Sequence, residues 1–131
     1  ILMIGVYTAV YHGFVNCGAR GAITGIGNVL PKQVLLLAEL CEKASKGDAI
    51  ARRRAKELDE AMAVLSSFDE GVDLVLYYKY LMVLAGDQRY SNHFYETDRL
   101  MDAQRNYAES QFYLFNSWFE EWTARENIVC A

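Results

Sequence analysis

Apolar residues recur at helical spacing along most of this chain, and the rhythm breaks only in its first quarter. Val34, Leu37, Ala38, Cys41 and Ala44 share one face of a segment that Pro31 opens and Gly47 closes. That spacing predicts a helix over 31–46. Asp48 is placed to cap a second helix reaching about Phe68, with Ala51, Ala55, Leu58, Met62 and Leu65 as its stripe. Asp69-Glu70-Gly71 reads as a turn. Residues 72–85 are nearly all apolar, which predicts a helix buried on most sides. Lys79 lies among Tyr77, Tyr78 and Tyr80, and reads as a buried stem whose ammonium is led out to a partner. Gly86-Asp87 ends that helix, and 87–97 read as a loop. The last helix starts at 98 or 102 and runs to 124. Its stripe is Leu100, Gln104, Tyr107, Ala108, Gln111, Phe115, Trp118, Phe119 and Trp122.

The first quarter follows another pattern. Ile1-Leu-Met-Ile4 reads as a short buried strand, entered with no polar lead-in, as though the chain begins inside it. Residues 8–17 have helical spacing, and Gly18 suits the end of that helix. Ala22-Ile-Thr-Gly25 predicts a second strand, in which Ile and Thr favour pleated backbone. Gly25 and Gly27 then let the chain turn sharply into the helix at Pro31. The order is β–α–β on a parallel scheme, followed by helices. Two short parallel strands make no stable sheet alone, so this pair calls for more strands.

Bulk properties narrow the functions. A chain of 131 residues with 53% hydrophobic content supports one domain with a sizeable core. The net charge of −4 excludes an extended nucleic-acid surface. Arg52-Arg53-Arg54 lies within a helical pattern and reads as a solvated or subunit-contact face. Residues 1–19 carry no charge, but Gly5, Thr8, His12, Gly13, Asn16 and Gly18 interrupt them, which argues against a membrane span. The three cysteines, Cys17, Cys41 and Cys130, form no C-x-x-C pair, so no disulfide framework or metal site is expected. A reducing, cytoplasmic setting follows. His12 and His93 lie far apart, with no ligand spacing to a cysteine.

The run Gly18-Ala-Arg-Gly-Ala-Ile-Thr-Gly-Ile-Gly-Asn28, then Pro31, Gly47-Asp48, Lys79 before Leu81 and Gly86, then Leu100, Gln104 and the aromatic last helix carry a resemblance. Together they resemble the C-terminal half of the dihydrodipicolinate synthase and N-acetylneuraminate lyase family, over nearly the whole chain. Phe14-Val-Asn-Cys-Gly18, Ser66-Ser-Phe-Asp-Glu-Gly71 and Arg105-Asn-Tyr107 look most like the branch of keto-deoxy sugar acid dehydratases and hydroxyproline-pathway deaminases.

The resemblance implies a mostly α chain with two short parallel strands, forming the C-terminal part of a (β/α)8 TIM barrel plus a helical extension. The chain would be a single unit. Residues 1–30 would hold the last two strands and the helix between them; residues 31–131 would hold the eighth barrel helix and the extension. Such a barrel needs about 250 residues, roughly twice this length. Family members use no cofactor. They form a Schiff base between a lysine and a pyruvate-type 2-oxo acid, and the iminium serves as an electron sink.

The resemblance places that lysine and its tyrosine and hydroxyl partners on strands preceding Ile1. None of Lys32, Lys43, Lys46, Lys56 or Lys79 matches it, so this chain alone is expected to be inactive. What remains is one wall of the site. Ile23 matches the residue whose carbonyl faces the Schiff base, and Thr24 and Gly25 match positions lining the substrate tail. Val6, Tyr7 and Thr8 fall where the family carries a Gly-Asp-Asp/Glu run, whose acidic pair is absent here. The implied partners are a 2-oxo acid, once the missing half completes the site, and further copies of the chain in a homo-oligomer. The alternative is a non-catalytic, truncated helical protein that self-associates.

Overall fold

The computed structural model describes residues 1–130. They are mostly helical, with two short parallel strands. Packing divides them into two compact units, residues 1–64 joined by the C-terminal residues from Val129, and residues 65–128.

In the first unit, β1 (Met3–Ile4) pairs in parallel with β2 (Gly21–Ala22), in the register Met3↔Gly21 and Ile4↔Ala22. α1 (Val10–Cys17), preceded by a 3-10 turn over Tyr7–Ala9, makes the crossover. Gly18 ends it in the left-handed region at φ 70°, a conformation that glycine adopts without strain. Gly13 lets α1 sit close on β1, since a Cβ there would overlap the Ile4 side chain.

Both strands are shorter than the sequence suggests. The Ile23 amide still donates to the Ile4 carbonyl at 2.8 Å. Gly25 then turns into the right-handed region and opens a 3-10 turn over Ile26–Asn28. The Asn28 side-chain amide donates to the Gly25 carbonyl at 3.0 Å and holds that turn. Neither strand is buried. Met3 is exposed, and Ile4, Gly21 and Ala22 are only half-buried, because the sheet gains no third strand among the described residues.

α2 (Pro31–Ser45) and α3 (Ala49–Met62) form the body of this unit. Asp48 accepts from the Ala51 amide at 2.9 Å, as an N-cap should. Arg52 donates to the Ala44 carbonyl at 3.2 Å, which also accepts from the Gly47 amide at 3.1 Å at the end of α2. Leu37, Cys41, Ala44, Ala51, Ala55, Leu58 and Met62 are all buried, as their spacing predicts. Past Met62 the helix tightens to 3-10 geometry over Ala63–Asp69, so the expected helix to Phe68 is α-helical only to Met62.

In the second unit, α4 spans Leu74–Leu84 and α5 spans Asp102–Glu126, with a 3-10 turn at Gln88–Ser91 inside the expected loop. Leu100, Ala108, Phe112, Phe115, Phe119 and Trp122 are buried, while Tyr107 and Trp118 of the expected stripe are not fully covered. α4 departs from expectation. Only Tyr78 and Leu81 of its eleven residues are buried, and Val75 is exposed. Lys79 behaves as expected, its half-buried stem carrying Nζ to the Asn92 carbonyl. No helix among the described residues is long and apolar enough to cross a membrane.

Candidate functional site

Parallel pairing brings the two glycine-rich exits to the same end of the sheet, since β1 and β2 point the same way in adjacent register. Gly5, Val6, Tyr7 and Thr8 follow one strand; Ile23, Thr24 and Gly25 follow the other. In α/β sheets this is the end where ligands bind.

The individual residues differ. Ile23 is 72% exposed and Val6 45% exposed, while Thr24 and Gly25 are half-buried. Tyr7 turns inward. It is 1% exposed, and its hydroxyl donates to the Met62 carbonyl at 3.0 Å. Met62 ends α3 where the chain tightens into the 3-10 turn, and the Tyr7 hydroxyl ties the start of α1 to that point. The structure thus groups Val6, Ile23, Thr24 and Gly25 at one edge and closes Tyr7 into the unit's interior.

Chemically this edge is a wall. Arg20 is the one charged residue among the first 31, so the edge carries no acid, base or amine of its own. With the Tyr7 hydroxyl bonded in the interior, the hydroxyls of Thr8 and Thr24 are the remaining polar side-chain groups of the two exits. None of the five lysines lies at a strand end. Lys32 and Lys43 are on α2, Lys46 follows it, Lys56 is on α3, and Lys79 is on α4.

Other ionisable groups are shifted by burial. Cys41 is pushed up to about 12 by desolvation, with the Asp59 charge adding to it. Asp59 is raised to about 6 by burial and by neighbouring Glu60. In the second unit Tyr80 is raised to about 12, first by burial and then by its hydrogen bond to Glu109. Both Cys41 and Tyr80 therefore stay protonated at neutral pH.

The first unit also holds a cluster that sequence reasoning missed. The Asn16 amide nitrogen lies 3.1 Å from His12 Nδ1, and His12 Nε2 lies 3.4 Å from Cys17 Sγ. His12 has no metal-ligand spacing to a cysteine or to His93. The spacing that counts is helical, four residues to Asn16 and five to Cys17. A cavity of about 590 Å³ adjoins this cluster, lined among others by Asn16, Gly18, Arg20, Glu42 and Lys46. No model of a known protein family matches the chain, and no curated protein matches it.

Proposed function

We propose that this chain is the C-terminal segment of a Schiff-base lyase or dehydratase of the dihydrodipicolinate synthase type, acting on pyruvate-type 2-oxo acids once completed by a lysine-bearing barrel half. The parallel β1–β2 pair with its glycine-rich exit feeding a Pro-led helix is the observation that carries this reading. In it, the pair forms strands seven and eight of a TIM barrel, and Ile23, Thr24 and Gly25 line the substrate tail. The exposed Leu2, Met3, Val6 and Ile23 support it, since further strands and helices would cover them. The three free cysteines fit a reducing, cytoplasmic compartment.

A second reading is a non-catalytic helical protein that self-associates through the same uncovered sheet. The interior position of Tyr7 favours it, because a buried tyrosine bonded to a backbone carbonyl is unavailable to substrate.

One experiment separates the two. The chain is co-expressed with a supplied barrel half carrying strands one to six of a family enzyme. The complex is treated with pyruvate and borohydride, and the products are read by mass spectrometry. The enzyme reading expects a stable heteromeric complex and a reduced adduct on the supplied lysine, with none on the five lysines here. A chain that ignores the supplied half and sediments as a self-associated species supports the second reading.

A further inference from the structure

α4 carries Leu76, Tyr80 and Val83 at helical spacing, on one face. All three are half-buried, so the second unit leaves this stripe partly uncovered. The stripe forms one side of a cavity of about 270 Å³, lined only by residues of that unit. Tyr90, from the 3-10 turn at Gln88–Ser91, and buried Leu100 extend its apolar side. The volume lies near the lower end of the range for small-molecule sites, roughly 300–1,000 Å³. It suits a single ring with a short side chain.

The remaining lining is cationic or polar. Arg99 and Arg105 both line the cavity, as does His93, and no carboxylate does. This occurs in a unit whose acidic residues outnumber its basic ones. Among the described residues the Arg99 guanidinium has no hydrogen-bond or ion-pair partner; only its backbone amide is bonded, to the Thr97 carbonyl at 3.0 Å. Arg105 pairs with Asp102 through one Nη, and Asp102 is 88% exposed. Nε and the other Nη of Arg105 remain as donors. Glu109 is held by the Tyr80 hydroxyl, so Tyr80 offers the cavity its ring. Two guanidiniums lining one small cavity repel each other, and an anion relieves that repulsion. Arginine presents a planar fork of donors matched to a carboxylate. The apolar side disfavours a small, strongly hydrated anion, which gains nothing from Leu76, Val83 and Leu100.

We propose that this cavity binds a small carboxylate whose apolar body is the size of one ring, an arylacetate being the simplest example. Arg99 and Arg105 hold the carboxylate, and the α4 stripe with Leu100 covers the body. The charge at one side and the apolar stripe at the other together define the ligand class. The site lies in the second unit and does not depend on the lyase reading.

The test titrates the full, isotope-labelled chain with phenylacetate and follows backbone amide shifts by NMR. Saturable shifts centred on Tyr80, Val83, Tyr90 and Leu100 are expected. Phenylacetamide keeps the ring and loses the charge; inorganic phosphate keeps the charge and loses the ring. Each binds at least about tenfold more weakly, the scale of a lost charge-assisted hydrogen bond or a lost buried ring. Arg99 is exposed, so Arg99→Gln keeps the fold, which the ligand-free spectrum checks. It weakens phenylacetate about tenfold. Val83→Phe fills the cavity from the α4 side and abolishes the shifts. Arg89→Gln, in the same segment but outside this cavity, leaves binding unchanged. Absence of saturable shifts, phenylacetamide or phosphate binding as tightly as phenylacetate, or a loss in fewer than both of the Arg99 and Val83 variants would overturn the proposal.

Discussion

The two compact units solve burial in different ways. Residues 1–64 rely on small and aliphatic side chains at strict helical spacing, with Ala44, Ala51, Ala55, Leu58 and Met62 all essentially inaccessible. Residues 65–128 rely on aromatic rings whose polar tips bond elsewhere in the unit. Tyr78 donates to Asp69, Tyr80 donates to Glu109, and Ser67 pairs with the Tyr107 hydroxyl at 3.0 Å. Gln104 donates to Asp73 at 2.9 Å. Phe68 sits between Tyr77 and Tyr107, with ring centroids 4.8 and 5.6 Å away. The difference shows that apolar content and burial are separate quantities. A tyrosine adds apolar area and brings a hydroxyl that needs a partner even where the ring is covered, as at Tyr78, which bonds Asp69.

The largest effect expected from this contrast is at Leu58. It is fully buried on α3, in the unit that depends on close packing. Leu58→Ala should cost about 2–5 kcal/mol, the removed methyl groups plus the cavity left behind. Val75→Ala, on the exposed side of α4, is the matched control and should leave stability within about 0.5 kcal/mol. Urea denaturation of both variants checks the pair. Equal losses would mean that α4 is buried as its composition suggests, and the contrast would fail.

How much of this was legible in the sequence follows the same division. In the first unit, period and punctuation agreed. The stripe from Ala51 to Leu58, the Asp48 cap and the Gly18 end all appear where their spacing put them. In the second unit the helices are present, but the burial of α4 is not: Tyr78 is covered, while Val75 is exposed and Leu74, Leu76, Met82, Val83 and Leu84 are half-buried, because composition does not say how many faces of a helix find a neighbour. The strand ends at 23–25 were misread because Ile23 and Thr24 favour strands locally while Gly25 and Asn28 close a turn. Tyr7 could not be placed from sequence. Its partner, the Met62 carbonyl, lies 55 residues away, and backbone acceptors leave no mark in a sequence.

A smaller effect tests the polar half of the contrast. Tyr80→Phe removes the donor to Glu109 and leaves the ring in place. A hydrogen bond to a charged group is worth about 1.5–3 kcal/mol, and the lower end applies here because neither residue is fully buried. The measurement is the denaturation midpoint of Tyr80→Phe beside that of Glu109→Gln, which keeps an acceptor. A loss in the first much larger than in the second is expected. No loss in either would reduce the phenol–carboxylate bonds to surface decoration, and the second unit would then rest on ring contacts alone.

The smallest effect concerns a carboxylate that the close-packed unit does not satisfy. Asp69 and Glu109 each accept from a tyrosine, but half-buried Asp59 on α3 makes no hydrogen bond or ion pair among the described residues. Its folded pKa rises to about 6, chiefly through burial, with Glu60 adding to it. The unfolded value is near 3.9. Below pH 4 both states hold the proton, and the group has no effect on stability. Between about 4 and 6 the unfolded chain has released it while the folded chain retains it, so stability falls as pH rises. Above 6 the full cost is present. Allowing for partial exposure, that cost is about 1 kcal/mol. Asp59→Asn removes the charge and should stabilise the chain by about that much at pH 7.5, and by little at pH 4. Urea midpoints of parent and variant at the two pH values give the answer as a difference of differences, in which the other carboxylates cancel. A gain of the same size at both pH values would point to shape rather than charge. No gain at pH 7.5 would mean that the first unit tolerates the Asp59 carboxylate as readily as the second tolerates its own.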